Sequence, residues 1–412
     1  MDQRLAMGRR DFLRTTATGL GGFVTLSANP SRPPDAPDTF EATRVLGKTG
    51  IRLPIISMGV MNTDNPQLVR AALDAGYVFL DTAQGYQRGT NEAMLGEILK
   101  DRPRDSFVIA TKASLPKDQT TGGYGPGATE EAYTRKIDTS LKSLRLDHVD
   151  IYHHHGTWTR EATLHEPIVS ALQKTKRAGK IRFIGVSTHR NEPEVLDAAT
   201  DSKVYDVVLP AYNFRQRHAA EVQRAIARAA GAGLGVVAMK SMGGNRGGAS
   251  ASSQIDARAA IKWVLQDSNV HTVICGFTTF DQMMLDLTIL KDLTLSAAER
   301  EHLRLASRAA GLYCQGCGRC VRQCAQRLPI PDLMRAHMYL YGYRNLVAAR
   351  DLVLSLALPQ ELCAECGVCP ATCANGWNLG DRIRDVVRLR AVPADLLAQP
   401  GEFTKVLVNS PG

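Results

Sequence analysis

Eight of the nine cysteines in this 412-residue chain follow Gly311, and they form two runs of identical spacing. The first run is Cys314, Cys317, Cys320 and Cys324, and the second is Cys363, Cys366, Cys369 and Cys373. In each run two residues separate the first three cysteines, and three residues precede the fourth. Thiolates are soft ligands, and several of them on one short loop can bind one inorganic centre together. The spacing therefore predicts two metal–sulfur centres.

The doubled spacing is similar to that of bacterial ferredoxins with two [4Fe-4S] clusters, in which the fourth cysteine of each run binds the other cluster. The resemblance implies one cluster on Cys314, Cys317, Cys320 and Cys373 and another on Cys363, Cys366, Cys369 and Cys324. Ala325 and Ala374 stand where ferredoxins usually have proline. Disulfides and zinc are the alternatives, although the runs are crowded for several disulfides and zinc usually takes two pairs separated by a longer loop. Cys275 lies in an apolar run and is predicted to be a buried thiol.

A second set of reactive side chains falls at the ends of predicted strands. Asp81, Lys112 and His155 end apolar runs, and Tyr86 lies just beyond one. Carbonyl reduction leaves developing negative charge on oxygen and therefore needs a proton donor. Because a free tyrosine is a weak acid, we expect Lys112 to lower the pKa of Tyr86 and Asp81 to hold Lys112. His155 is expected to orient the carbonyl oxygen through a hydrogen bond.

Three consecutive histidines raise a metal-binding alternative at the same strand. Neighbouring residues on a strand point to opposite faces, so only His153 and His155 share a face. Tyr152 and His154 are expected to face the helix layer.

Short β-branched runs alternate with helical segments from Arg44 onward. Strands are predicted at 55–61, 78–83, 107–113, 149–155, 181–187, 205–211, 234–240 and 271–275, and helices at 66–75, 91–100, 130–144, 168–178 and 219–230. Eight strand–helix units favour an α/β fold of the (β/α)8 TIM-barrel type, which gathers strand ends on one face. An open doubly wound sheet would need a GxGxxG turn after the first strand, and the sequence has none there.

The strand-end residues and their context resemble the aldo-keto reductase family over about residues 43–290. The matching motifs are Phe79-Leu80-Asp81-Thr82-Ala83, Tyr86, Asn91-Glu92, Leu95-Gly96, Lys112, Asp150-x-Tyr152-x-x-His155, Gly179-Lys180-Ile181-Arg182-x-x-Gly185-Val186-Ser187 and Tyr212-Asn213. The resemblance implies hydride transfer from a nicotinamide, with Tyr212 stacking on its ring and Ser187 near its carboxamide. Lys240, Gly243 and Gly244, together with Gly247 and Gly248, are candidates for the pyrophosphate.

The chain departs from this family at the positions that often hold a 2′-phosphate. Gly276, Phe277 and Gln282 stand where many members have a Lys-Ser pair and an Arg, and Leu209 replaces a frequent glutamine. The cofactor is therefore predicted to be NADPH or NADH, without a preference for NADPH. A further hypothesis is weak dependence on free NADPH, which is scarce outside the cytoplasm.

The N-terminus has the layout of an export signal. Arg9 and Arg10 precede a mildly apolar run and a Pro-rich stretch, which resembles a twin-arginine signal for folded proteins. Gly8 replaces the usual Ser or Thr, and a disordered basic tail is the alternative. We expect export to the periplasm or cell envelope, with a cytoplasmic location as the alternative.

Composition limits the remaining classes of function. With 44% hydrophobic and 22% charged residues, the chain is predicted to be globular, and no stretch approaches the roughly 20 apolar residues of a spanning helix. The net charge is +9, but no basic run with interleaved aromatic residues predicts nucleic-acid binding. Between residues 313 and 390 there are ten arginines, no lysine and six acidic residues, an excess that suits anionic clusters.

Three regions are predicted: a signal and linker at 1–38, a barrel at 39–298, and a small, mainly helical ferredoxin-like domain at 299–412, with helices at 330–336 and 345–356. The resemblance extends to barrel reductases with such a C-terminal module. We predict an oxidoreductase for a small carbonyl/alcohol substrate, in which the clusters exchange electrons with a redox partner protein or are structural. The alternative is an electron-transfer or interaction protein with a non-catalytic barrel scaffold, which the complete set of four catalytic residues disfavours.

Overall fold

The computed structural model describes residues 42–244, 255–308, 311–363, 366–393 and 395–397. The predicted signal at 1–38, together with Gly247 and Gly248, lies outside the described residues.

Eight parallel strands close into a barrel in the order β10-β3-β4-β5-β6-β7-β8-β9. They are β3 (Ile56–Gly59), β4 (Phe79–Asp81), β5 (Val108–Ala113), β6 (Val149–His154), β7 (Ile181–Thr188), β8 (Val207–Pro210), β9 (Gly235–Ala238) and β10 (Thr272–Cys275). An antiparallel hairpin, β1 (Thr43–Val45) and β2 (Arg52–Pro54), precedes them. All eight predicted strands are present, and the barrel prediction is confirmed.

Helices follow the strands and surround the barrel. They are α1 (Pro66–Asp74), α2 (Thr90–Leu99), α3 (Glu130–Leu144), α4 (Arg160–Thr163), α5 (Glu166–Arg177), α6 (Glu192–Ser202), α7 (Ala219–Gly231), α8 (Ala257–Leu265) and α9 (Phe280–Ile289). Polar side chains cap several helix starts: Asn65 accepts from the backbone of α1, and Thr129 accepts from Ala132 in α3. The amphipathic faces of these helices pack on the outer face of the barrel.

Hydrophobic side chains from the strands and the hairpin fill the barrel interior. Leu46, Ile51 and Leu53 of the hairpin region cluster with Phe79 and Val108 from the starts of β4 and β5. The hairpin therefore closes the N-terminal end of the barrel, and the opposite end is left to form a site.

Helix α2 packs unusually close to α3, because residue 96 has no side chain. A Cβ atom on Gly96 would lie 2.6 Å from the carbonyl oxygen of Ser143. This close approach fixes the start of α2, where Asn91 and Glu92 are buried. Both side chains support the neighbouring strand ends.

Five helices lie beyond the barrel strands. They are α10 (Ala297–Arg308), α11 (Arg319–Gln323), α12 (Ile330–Tyr341), α13 (Leu346–Ser355) and α14 (Leu379–Val387). Leu303 of α10 packs with Ile255 and Ala259 at the barrel, so α10 belongs with the barrel rather than with the domain predicted to begin at 299. The helices predicted at 330–336 and 345–356 are present, and α12 is longer than predicted.

The C-terminal unit, defined here as described residues 311–397, has its own core and covers the open end of the barrel. Its core includes Leu333, Trp377 and Ile383. Tyr313 and Met338 of the unit cluster with Ala211, which follows β8. The catalytic end of the barrel is therefore roofed by the C-terminal unit.

Two further contacts join the unit to the loops of the barrel mouth. The Arg88 guanidinium pairs with Asp351 of α13 at 2.9 Å, and Asn345 donates to Asn62 at 3.2 Å. In the described part of the chain, no helix has the length and apolar character needed to cross a membrane.

Candidate active site at the mouth of the barrel

Asp81 and Lys112 meet at the C-terminal ends of adjacent strands. Asp81 ends β4, and Lys112 is the next-to-last residue of β5. The Lys112 ammonium donates to the Asp81 carboxylate and, at 2.7 Å, to the carbonyl oxygen of Thr82. Burial lowers the pKa of Lys112 and Asp81 opposes that effect, so the ion pair holds the ammonium in place.

Tyr86 lies in the turn after β4 and faces this ion pair. The Lys112 ammonium is 5.1 Å from the centroid of the Tyr86 ring. Gln87 and Arg88 adopt positive φ angles, and the Gln87 side chain donates to the carbonyl of Thr63 at 2.6 Å. These contacts fix the turn that carries the phenol.

The expected lowering of the Tyr86 pKa by Lys112 needs correction. Burial, followed by the charge of Asp81, raises the pKa of Tyr86 well above its usual value. The phenol is therefore protonated at neutral pH and is a weaker acid than a free tyrosine in this structure.

His155 completes the group of four from the end of β6. Its ring is 6.3 Å from that of Tyr86, measured between centroids, with an interplanar angle of 84°. Lys117 donates to the backbone carbonyls of His155 and Gly156 at 3.1 and 2.7 Å. Burial, followed by the charge of Lys112, lowers the pKa of His155 well below 6.5, so its imidazole is neutral and can donate a hydrogen bond.

Two motif residues support the site from behind. Asn91 accepts a 2.6 Å hydrogen bond from Thr82 and donates to the backbone carbonyl of Val60. Glu92 accepts from Thr111 at 2.6 Å. Both side chains anchor α2 to the ends of β4 and β5.

The consecutive histidines point to alternating faces of the strand, as predicted. His153 lies against Gly185 of β7, where no space remains for a side chain, whereas His154 contacts Tyr124 and Tyr205 outside the barrel. Among the described residues, no group of three or more His, Cys, Asp or Glu side chains has the arrangement of a single-ion site.

A cavity of about 690 Å³ is lined by two of the four catalytic candidates, Asp81 and Tyr86. Its walls at the ends of β3, β4, β9 and β10 include Gly59, Asp81, Tyr86, Lys240, Gly244 and Cys275. A volume of this size is typical of cofactor and ligand pockets. The predicted pyrophosphate candidates Lys240 and Gly244 therefore border the cavity, whereas Gly243 contacts Asn213 and Arg215 instead.

The lining of this cavity includes the three positions that depart from the family pattern. Gly276, Phe277 and Gln282 all border it. Asp256 and Asp286 add acidic groups to the same wall, and Lys240 is the one Lys or Arg among the described residues that line the cavity.

The predicted role of Tyr212 is corrected by its position. Its side chain is 2% exposed, and its ring packs on Trp263 of α8 at 5.0 Å between centroids. Side chains alternate along the chain at the end of β8, so Ala211 faces the mouth and Tyr212 faces the helices. Ser187 is buried at the end of β7, where its hydroxyl accepts from the Gly156 amide at 3.0 Å.

The comparison of this sequence with known proteins finds one family that resembles the barrel. Residues 58–259, which carry the whole catalytic group, match the family model described as the Aldo/keto reductase family. This part of the barrel is similar in sequence to the aldo/keto reductase family.

Individual relatives agree with this similarity. The chain is 30% identical over 190 residues to L-glyceraldehyde 3-phosphate reductase of Escherichia coli, covering 42% of this chain and 54% of the relative. It is 36% identical over 160 residues to L-galactose dehydrogenase of Arabidopsis thaliana, covering 35% and 47%. The chain thus spans about half the length of these curated relatives.

A solved structure supports the fold of the barrel. The holo form of an aldo-keto reductase from Bacillus halodurans superposes with a TM-score of 0.53 at 24% identity, covering 64% of this chain and 95% of that one.

The eight C-terminal cysteines form two groups outside the barrel. Each group contains cysteines from both runs. Burial, together with Cys317 and Cys373, raises the pKa of Cys314 to about 11. A cavity of about 680 Å³ is lined by Cys314, Cys317, Cys320 and Cys373. All are free of disulfides.

The second group has the reciprocal composition. Burial, followed by Cys366, Cys324 and Cys369, raises the pKa of Cys363. The fourth cysteine of each run therefore lies with the first three of the other run, as the ferredoxin resemblance implies.

The sequence did not predict that Arg335, Tyr339 and Tyr343 of the C-terminal unit lie over the mouth of the barrel. The Lys240 ammonium lies 4.9 Å from the ring centroid of Tyr343 and 5.7 Å from that of Tyr339. Arg335 lies one helical turn before Tyr339 on α12. The signal in the sequence was the pair of Asp332 and Arg335 at i,i+3 on a mostly apolar helix, but the surface of the barrel that this pair contacts could not be predicted.

Proposed function

We propose that this protein is an oxidoreductase that interconverts a carbonyl compound and an alcohol with a nicotinamide dinucleotide, NADH or NADPH. The observation that carries this proposal is the convergence of Asp81, Lys112, Tyr86 and His155 beside a cavity that Asp81 and Tyr86 line. The relatives, which are named for reactions on small sugar-derived compounds, support a small polar substrate.

The side chains divide the work in the direction of reduction. Tyr86 donates its hydroxyl proton to the carbonyl oxygen, since it is the phenol that lies beside the Lys112 ammonium. Neutral His155 donates a hydrogen bond to the same oxygen and orients it. Lys112, held by Asp81, stabilises the negative charge that forms on Tyr86 after proton transfer.

The volume and the lining residues of the 690 Å³ cavity fit a dinucleotide. When bound there, the nicotinamide would supply the hydride for the reaction. Lys240 and Gly244 are available to its pyrophosphate, and Ser187 lies at the mouth near His155. Gly276, Phe277 and Gln282 offer no positive charge to a 2′-phosphate, which gives NADPH no advantage over NADH.

Two [4Fe-4S] clusters are proposed for the cysteine groups. The thiols are free, they group four and four across the two runs, and one group lines a cavity. Positive φ angles at Gly316, Gly318 and Gly367 let the loops curl around such a centre. Iron–sulfur clusters would supply single-electron transfer to a redox partner or rigidity to the unit.

Export by the twin-arginine route, to the periplasm or cell envelope, is proposed from the sequence alone. Fusing residues 1–38 to a reporter and replacing Arg9 and Arg10 together with lysine tests it. Retention of the reporter in the cytoplasm with the intact signal would contradict export.

Replacing Tyr86 with phenylalanine tests the enzyme. We expect Y86F to lower kcat by roughly 10²- to 10⁴-fold with a panel of aldehydes, because the proton donor is lost. NADH and NADPH oxidation at 340 nm is the measurement. The matched control is Y341F, an exposed tyrosine on α12. Unchanged turnover in Y86F would favour the non-catalytic scaffold.

Cysteine replacement tests the clusters and their crossed ligands. Anaerobically purified protein should contain about eight iron and eight sulfide atoms per chain. If Cys314 and Cys373 share a cluster, C314A/C373A should lose no more iron than C314A, whereas C314A/C363A should lose nearly all of it. C275A is the control. Zinc in place of iron and sulfide would refute the proposal.

A further inference from the structure

The turn that follows α12 packs tightly against the mouth of the barrel. A Cβ atom on Gly342 would overlap the carbonyl oxygen of Gly244 and would lie 2.7 Å from that of Met338. The backbone amide of Tyr343 donates to the same Met338 carbonyl at 3.1 Å, which closes the end of the helix. The close packing and this hydrogen bond together fix the position of residue 343 over the barrel.

Two side-chain contacts anchor the following segment beside the loops around Tyr86. Asn345 donates to Asn62, in the loop after β3, at 3.2 Å. Arg88, two residues beyond Tyr86, pairs with Asp351 of α13 at 2.9 Å. The C-terminal unit is thus attached both to the loop after β3 and to the turn that carries the proton donor.

Tyr343 borders the same cavity as Tyr86. The 690 Å³ cavity is lined by both tyrosines and by Asn62 and Lys240, and Tyr343 is its one lining residue from the described part of the C-terminal unit. The Lys240 ammonium lies 4.9 Å from the centroid of the Tyr343 ring. The Tyr339 ring stacks on the Tyr343 ring at 5.6 Å between centroids, with 19° between their planes. These two contacts hold the ring at residue 343 in place.

A carbonyl compound that reacts at Tyr86 has to share the space that Tyr343 borders. Its oxygen must come within hydrogen-bond distance of the Tyr86 hydroxyl. The remaining described walls of the cavity belong to the barrel and its helices, and the nicotinamide needs part of the same volume. The Tyr343 ring cannot move aside without losing its contacts with Lys240 and Tyr339. The side chain at residue 343 therefore restricts the room left for the substrate.

We propose that Tyr343 is a specificity-determining residue, which limits the enzyme to compact carbonyl compounds that pack against its ring. This inference rests on the proposed carbonyl chemistry. It assigns the limit on substrate size to the C-terminal unit, whereas Tyr86 and His155 of the barrel act on the carbonyl oxygen. A tyrosine is suited to this role, because its ring offers a large, rigid apolar surface.

Two pairs of aldehydes of different size test the proposal in the full-length protein. Propanal is compared with cyclohexanecarbaldehyde, and benzaldehyde with 2-naphthaldehyde. We expect Y343A to shift the ratio of kcat/KM values in each pair toward the larger aldehyde by at least roughly tenfold, since even one methylene group in a pocket has about that effect. Y343F should keep the original ratios, and Y343W should shift them toward the smaller aldehyde. Y341A, at an exposed tyrosine of α12, is the matched control and should change neither ratio.

Other outcomes would overturn the size limit. One is an unchanged ratio in both Y343A and Y343W, with thermal unfolding showing that each variant is folded. A second is an equal loss for both members of a pair, which would mean that Tyr343 acts through the fold or through Lys240. A third is a change confined to the KM of NADH or NADPH, which would assign Tyr343 to the cofactor.

A binding measurement separates failure of the size limit from failure of the proposed function. Calorimetry compares benzyl alcohol with 2-naphthalenemethanol in the unmodified protein and in Y343A. Binding of the larger alcohol that is at least roughly tenfold tighter in Y343A, without turnover of any aldehyde, would refute the proposed function and retain the size limit. Turnover of the aldehydes, with the same relative affinity for the two alcohols in both proteins, would refute the size limit alone.

Discussion

Asp286 is a buried carboxyl group beside the proposed dinucleotide cavity. Its partner is the Cys275 thiol, and burial raises the pKa of Asp286 to about 7. Because the folded state holds this proton more tightly than the unfolded state, the group stabilises the protein at low pH. That contribution is lost as the pH rises from near 4, the value of a free aspartate, to about 7.

Replacing Asp286 with asparagine should therefore increase stability in a pH-dependent way. We expect the gain of D286N over the unmodified protein to grow by about 1.4 kcal/mol per pH unit up to pH 7 and then stay constant. Urea unfolding at pH 5, 6, 7 and 8 measures it. D64N, at an exposed aspartate, should show no such trend. A gain independent of pH would contradict the raised pKa.

At the level of elements, the site depends on how closely helices approach strands. Helix α2 presents Asn91 to Thr82 and Glu92 to Thr111, next to Asp81 and Lys112. That placement requires the close packing of α2 on α3 at Gly96. A methyl group there would push the helix outward.

G96A should lower the free energy of unfolding by about 1–3 kcal/mol, the usual cost of overpacking, and should reduce turnover together with stability. Chemical unfolding and carbonyl reduction measure the two effects. G231A is a matched control at the exposed end of α7, where a Cβ atom meets nothing within 4 Å. It should stabilise by at most about 1 kcal/mol. Equal effects of the two changes would contradict the packing constraint.

The sequence predicted which segments form strands and helices better than it predicted which way individual side chains of these elements point. Strand periodicity and strand-end polar residues located the barrel and Asp81, Lys112 and His155, because both signals are local. Tyr212 was assigned wrongly because its orientation depends on the alternation at the end of β8. The place of Arg335 could not be predicted, since it arises only when α12 docks on the barrel.

For the whole molecule, the central question is what holds the C-terminal unit over the barrel. Asp332 of α12 is almost fully buried and pairs with Arg190 from the barrel and with Arg335. Burial alone would raise the pKa of Asp332, but the two arginines outweigh that effect and lower it. The interface therefore contains a buried carboxylate on which two arginines depend, one buried and one partly accessible.

D332N should destabilise the protein by about 3–5 kcal/mol, because removing one partner of a buried pair leaves uncompensated charge. D351N breaks the Arg88 pair at the same interface, where both side chains are at least one-third exposed, and should cost only about 0–1 kcal/mol. Thermal unfolding of both variants at pH 7 measures this contrast. Similar losses of stability in the two variants would mean that the buried pair does not stabilise the interface more than the exposed pair does.

The contact between Arg88 and Asp351 has a consequence for the order of events during synthesis. The two residues are 263 positions apart, and Arg88 lies in the turn that carries Tyr86. At about 5–20 residues per second, on the order of 13–50 s separate their translation. The turn gains its α13 support only after the first cysteine run has been made. A nascent barrel therefore emerges from the ribosome without its roof, and its active site is completed last.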